Sequence, residues 1–197
     1  MKILNPKTDL DKFLKKLAKS SEKALLLDYD GTIAPFHVDH SKAYPYPGVP
    51  VMLDNIMQDS DTRLVIITGR WIKDLPPLLR LHGRPEIWGS HGIERLKTDG
   101  SYEISPMDED ALDGLVRADE WVEQAGLSER SEEKPGCLAI HWRGLDDEKM
   151  EGHGLGVLVR ETLRPTAADV WIKPPDELLN FLSLWLLERQ RGHHFTQ

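Results

Sequence analysis

Asp28 and Asp30 stand two apart in "ALLLDYDGT", followed at once by Gly31 and Thr32. Residues two apart on an extended strand point to the same side, so both carboxylates project where the strand ends and a loop begins. Two such charges are costly together unless a cation or a proton is shared between them, which points to Mg²⁺ and to acid–base work. A carboxylate can also attack phosphorus to form an aspartyl phosphate, while its neighbour protonates the leaving oxygen and later deprotonates the hydrolytic water. Asp28 fits the nucleophile and Asp30 the acid and base. Gly31 permits the tight turn that brings backbone amides toward a phosphate, and Thr32 can cap that turn. The competing reading is an aspartate-rich loop that only caps a helix. An EF-hand is set aside, because its loop needs glycine at the sixth position and flanking helices, whereas Gly31 is fourth and follows an apolar strand.

A second station is "LVIITGR", where another apolar run ends in Thr68, Gly69 and Arg70. A hydroxyl and a free amide at a strand's carboxyl end can hold phosphate oxygens, and Arg70 either adds charge or pins the loop. Thr-Gly is also an ordinary turn, so the signal gains weight only beside Asp28 in a parallel sheet.

The elements that must position these residues follow from periodicity. Leu10, Phe13, Leu14 and Leu17 share one helical face ahead of the strand "KALLLDYD". A helix over "VPVMLDNIMQ" precedes the strand "TRLVIITGR", and "PEIWGSHG" is a third strand after "IKDLPPLLRLHG". Alternation of this kind predicts a mostly parallel sheet covered on both faces, an α/β architecture. The acidic stretch after Ser105 carries Leu112, Leu115, Val116 and Val122 at near-helical spacing, and "CLAIHWRG" follows as a strand. "GLGVLVRET" reads as a buried strand, "ADVWIKPP" as a short extended piece, and "PDELLNFLSLWLLERQ" as a closing helix opened by Asp176. "GHHFTQ" reads as a frayed tail.

Composition narrows the function classes. The 197 residues carry 33 acids against 25 bases, a net charge of -8, which argues against a basic nucleic-acid-binding face and leaves small or anionic partners open. A single cysteine, Cys137, cannot form an intrachain disulfide, and no stretch has the roughly 18 apolar residues of a membrane helix, so the expectation is a cytoplasmic protein. His37 with His40, and His193 with His194, lack further ligands at zinc spacing and read as exposed histidines.

The blocks "LLLDYDGTIAPF", "VIITGR", "WGSHGIE", "KPGCLAIHWRG" and "PTAADVWIKPPDELLNFL", in this order, resemble the trehalose-6-phosphate phosphatases of the haloacid dehalogenase superfamily. The first motif is shared by the whole superfamily, whereas "GSHGIE" and "K…AIHWR" are closer to the sugar-phosphatase branch. The resemblance implies a Rossmann-like core, residues 1–90 and 153–190, with a small α/β cap over 91–152 and a tail over 191–197. It implies Mg²⁺ and hydrolysis of trehalose 6-phosphate in trehalose biosynthesis. By position Asp28 is nucleophile and metal ligand; Asp30 is acid and base and gives its backbone carbonyl to the metal. Thr68 contacts phosphate, with Gly31, Thr32, Gly69 and Arg70 around it. His91, Glu94, Lys134, His141 and Arg143 match positions near the cap and its sugar-binding face; without the resemblance, each of these reads as an ordinary loop, strand or packed residue.

The sequence also departs from that family. A lysine after the cap and a "GDD"-like motif on a further core strand have no visible counterpart, so the cap is expected to be incomplete and "GVLVR" either to pair directly with the first strand or to stay loosely attached. Asp146 and Asp147 follow a cap-like strand and are expected to face solvent. The alternative function is a degenerate relative that binds a sugar phosphate or a partner without efficient hydrolysis.

Overall fold

The computed structural model describes residues 1–141 and 170–193. The chain divides into two compact units, Met1–Glu103 with Pro165–Gln197, and Ile104–Arg164. The division expected from the resemblance fell at 90/91 and 152/153. Arg143, Asp146, Asp147, His194 and the "GVLVR" segment lie outside the described residues.

The first unit is built on a five-stranded sheet in the order β2-β3-β4-β5-β6, comprising Lys23–Asp28, Thr62–Ile67, Glu86–Gly89, Glu94–Leu96 and Tyr102–Ile104. Strands β2, β3 and β4 are parallel, and β5 returns antiparallel beside β4. β3 is central: Leu64, Val65 and Ile66 are all buried, the near-continuous apolar run that a strand covered on both faces requires. β2 alternates instead, burying Leu25 and Leu27 while Ala24 and Leu26 stay exposed among the described residues.

Helices α1 (Leu10–Lys19) and α2 (Val49–Asp59) both pack against α5 (Asp176–His193). Asp9 caps α1 by accepting the Lys12 amide at 2.9 Å. α5 sends Leu178, Leu182 and Trp185 into the core at helical spacing. Trp185 Nε1 donates to Thr62 Oγ1 at 3.1 Å and so pins the helix to the start of β3. α5 runs through Arg191, Gly192 and His193, three residues into the stretch expected as a tail. The segment between β3 and β4 holds a 3₁₀ turn, Ile72–Asp74, and a one-turn α-helix, α3 (Pro76–Leu79), whose paired prolines suit a first turn and which Arg80 ends by adopting a left-handed φ of 53°. A two-residue strand β1 (Lys2–Ile3) pairs with β9 (Val170–Trp171), the short extended piece expected there.

The second unit contains α4 (Glu109–Gln124) and the hairpin β7–β8, Ser131–Lys134 with Cys137–Ile140. Val122 and Leu127 are buried, whereas Leu112 and Val116 remain exposed among the described residues. No helix among the described residues is long and apolar enough to cross a membrane.

Leu182 is fully buried where α5 meets the core. Leu182→Ala is expected to lose about 2–5 kcal/mol of unfolding free energy in urea titration; a loss below about 1 kcal/mol would show that α5 does not share this core.

Candidate active site

Sheet register brings three strand ends together. Asp28 lies opposite Ile67, and Ile67 opposite Trp88, so one row crosses the three parallel strands. Beyond that row the chain leaves the sheet as residues 29–32, 68–71 and 90–92. In open parallel sheets this carboxyl edge is where ligands collect.

The first exit is a turn wound on Tyr29. Its carbonyl accepts the amides of Thr32, Ile33 and Ala34 at 3.3, 3.0 and 3.0 Å, while Gly31 N donates to Ala34 O at 2.7 Å. Tyr29 is fully buried and its hydroxyl donates to Ala43 O at 2.6 Å, anchoring the turn from below. Gly31 has φ 86°, a left-handed backbone that calls for glycine, and a Cβ there would also have to push aside the exposed Phe36 ring, whose Cε2 lies 2.6 Å away. The Gly31 and Thr32 amides are thus engaged within the turn, and the Asp30 carbonyl takes none of these bonds.

Arg70 resolves one ambiguity left by the sequence, since its guanidinium pins the loop. Nε donates to Asp30 Oδ2 at 2.8 Å, one terminal nitrogen to Asp30 Oδ1 at 2.7 Å, and the other to His40 O at 2.7 Å. The guanidinium carbon also lies 5.2 Å from the centre of the Tyr29 ring. Thr68 is buried; its Oγ1 accepts the Arg70 amide at 3.1 Å, and its own amide donates to Trp88 O at 2.9 Å. Gly69 admits the His91 ring, whose Nε2 would stand 2.7 Å from a Cβ at that position.

The third exit is strained. Ser90 and His91 both adopt left-handed backbone, φ 45° and 56°, at a cost of order 1–3 kcal/mol each. They are held by Ser90 N donating to Arg70 O at 2.8 Å, His91 N to Thr68 O at 3.3 Å, and Ser90 Oγ to Glu94 Oε2 at 2.5 Å. His91 is exposed beside Gly69. Glu94, expected at the sugar-binding face, is instead fully buried with both oxygens engaged, because Tyr102 Oη donates to Oε1 at 2.6 Å. His91 and Glu94 belong to the first unit, with the sheet.

In the second unit, Lys134 and His141 converge on Glu132 Oε2, at 3.1 and 2.7 Å. Burial raises the Glu132 carboxyl, but the bonds from His141 and Lys134 outweigh it and hold the group below the usual carboxylate range. Sequence reasoning missed Glu132; its signal was position, since Glu132 and Lys134 are two apart on β7 and share a face.

Among the described residues no three His, Cys, Asp or Glu side chains converge as a metal cluster. His37 bonds locally to the Asp39 backbone and is exposed. The donors at the sheet edge are the Asp28 carboxylate and the Asp30 carbonyl, hard oxygens that fit Mg²⁺ completed by water and phosphate. Asp28 is exposed at the end of β2, yet its partial burial raises the carboxyl pKa; the Tyr29 amide opposes this and the Asp30 charge adds to it.

Comparison with known proteins bears on these features. The trehalose-phosphatase family model matches residues 26–170. The chain is 26% identical over 149 residues to trehalose-phosphate phosphatase B of Arabidopsis thaliana, covering 67% of this chain and 37% of that protein. It is 29% identical over 143 residues to the probable trehalose-phosphate phosphatase C of the same plant, covering 66% and 42%. The chain thus spans less than half the length of these relatives. Among solved structures, the C-terminal domain of C. albicans trehalose-6-phosphate phosphatase aligns with TM-score 0.60 and 20% identity over 75% of this chain and 52% of that one. At that identity the likeness establishes the fold alone, an α/β core with a mostly parallel sheet.

The raised Asp28 pKa has a sign that can be checked. Its folded-state value lies above the unfolded one, so the folded protein binds more protons between them and stability falls as pH rises through that window. Asp28→Asn is therefore expected to melt higher than the parent at pH 7, with the gap closing below the ordinary aspartate value. A parent that melts higher at pH 7 would refute the unfavourable setting assigned to Asp28.

Proposed function

Because the chain belongs to the trehalose-phosphatase family, we propose that it hydrolyses trehalose 6-phosphate to trehalose and phosphate, with Mg²⁺, through an aspartyl phosphate on Asp28. The observation that carries this reading is the exposed Asp28 carboxylate at the carboxyl edge of three parallel strands, its pKa raised by partial burial and by the neighbouring Asp30 charge.

In this reading an Asp28 oxygen bonds to phosphorus as the bond from phosphorus to the sugar 6-oxygen breaks, and that oxygen takes a proton from Asp30. Water then attacks phosphorus and gives its proton to Asp30, and the Asp28 carboxylate departs, releasing phosphate. The Asp28 carboxylate and the Asp30 carbonyl would hold Mg²⁺, which would supply charge to offset that of the phosphoryl oxygens. Since Arg70 occupies both oxygens of Asp30, proton transfer requires one of those bonds to be exchanged for the sugar oxygen while the other keeps Asp30 oriented.

The same Arg70 clamp supports a second reading, in which the protein binds a sugar phosphate without hydrolysing it, because an acid and base engaged on both oxygens is poorly placed to move protons.

Phosphate release from trehalose 6-phosphate, with and without Mg²⁺ and with Asp28→Asn as the blank, separates the two. Metal-dependent release that falls at least roughly 10²-fold in the variant is expected. Thermal stabilisation by the sugar phosphate without any release selects the binding reading, and neither effect in a folded protein refutes both.

A further inference from the structure

We propose that Glu94 is a positioning residue for this site, acting through the Ser90–Gly92 turn on His91 and Arg70, and not a group that touches substrate. The proposal rests on the phosphatase reading above.

Glu94 is fully buried, and its partners are three neutral donors: Ser90 Oγ at 2.5 Å, Ile72 N at 3.2 Å and Tyr102 Oη at 2.6 Å. A carboxylate taken out of water in this way is expensive, and a well-packed apolar side chain would serve stability at least as well. What an apolar side chain lacks is the ability to collect three donors from three segments. Ile72 ends the loop that carries Thr68, Gly69 and Arg70; Ser90 opens the turn that carries His91; Tyr102 stands on β6.

The bonds on Glu94 reinforce those between the two loops, Ser90 N to Arg70 O and His91 N to Thr68 O. Two consequences reach the site. The left-handed turn sets the His91 ring against Gly69, where a Cβ would collide with His91 Cε1 and displace the ring. Arg70, with its carbonyl held by Ser90, presents its guanidinium to both oxygens of Asp30. Glu94 therefore lies at the far end of a connected series, Glu94 to Ser90 to Arg70 to Asp30. Burial, the bond to Glu94 and the charge of Glu94 together push the Tyr102 hydroxyl up to about 12 against an opposing bond from Trp71, so Tyr102 remains a donor throughout the working range.

The test uses the full chain and three variants, Glu94→Ala, Glu94→Gln and Tyr102→Phe. Steady-state turnover of trehalose 6-phosphate with Mg²⁺ is read beside the His91 imidazole resonance, which is assigned by its loss in His91→Gln. Glu94→Ala is expected to lower kcat roughly tenfold to a hundredfold with KM within about threefold, as misplacement of a reacting group does. Its His91 resonance should move. Glu94→Gln should recover at least about a third of parental kcat, because the amide oxygen still accepts from Ser90 and Ile72 while the amide nitrogen donates to the Tyr102 oxygen. Parental kcat and an unmoved His91 signal in folded Glu94→Ala overturn the proposal. So does a KM that rises at constant kcat, the mark of a substrate contact.

If Glu94→Ala does not fold, Tyr102→Phe decides: a shifted His91 resonance with lowered kcat supports positioning, and parental values for both overturn it. If the parent itself releases no phosphate, the phosphatase reading fails while the His91 resonance still decides whether Glu94 positions the turn.

Discussion

The Arg70 guanidinium holds both oxygens of Asp30 and the His40 carbonyl, and so ties the turn after β2 to the loop after β3. Two parallel charge-assisted bonds fix direction as well as distance, which a lysine ammonium at the same place cannot do. The pair is largely shielded from water, the side chains being 9% and 21% exposed, so screening by salt is weak and loss of one partner leaves a poorly solvated charge. Around that pair the remaining contacts follow. Tyr29 lies under the guanidinium, Thr68 Oγ1 accepts the Arg70 amide, and the Ser90 amide donates to the Arg70 carbonyl.

Carboxylates elsewhere in the first unit show what an ordinary structural role looks like. Glu86 suffers the same desolvation, yet bonds from Arg63, Trp88 and Arg95 outweigh it and bring the group below its usual range. Asp54 is likewise buried and likewise lowered, by the Gly83 amide and by the side chain and amide of His82. Asp28 runs the other way: partial burial and the neighbouring Asp30 raise it, and only the Tyr29 amide opposes them. A carboxyl left in an unfavourable setting at a strand end, beside two consecutive left-handed residues at the next loop but one, is the kind of local cost that folds tolerate at sites of chemistry.

Much of the core architecture is legible in the chain because its signals are local. Leu25 and Leu27 alternate with exposed neighbours, Leu64, Val65 and Ile66 form the buried run of a central strand, and Leu178, Leu182 and Trp185 recur at helical spacing. Such patterns depend on residues a few positions apart and on a single choice between period 2 and period 3.6. Where the local signal conflicts with the backbone, reading the chain is less direct. The stretch around Pro76 and Pro77 yields one helical turn, and α5 passes through Gly192, which reads as a terminus.

That Asp28, Asp30, Thr68 and Gly69 stand at the ends of apolar strands can be read from the chain alone, because strand length and the following turn residues are written in adjacent positions. What those side chains meet is a matter of long-range packing. It gave both oxygens of Asp30 to Arg70, forty residues on, buried Glu94 beneath the Ser90–Gly92 turn, and gathered Lys134 and His141 on Glu132. Those pairings depend on sheet register, which places Ile67 beside Asp28 and Trp88 beside Ile67. The register is fixed by the side chains packed across the whole core, and no short window of sequence contains it.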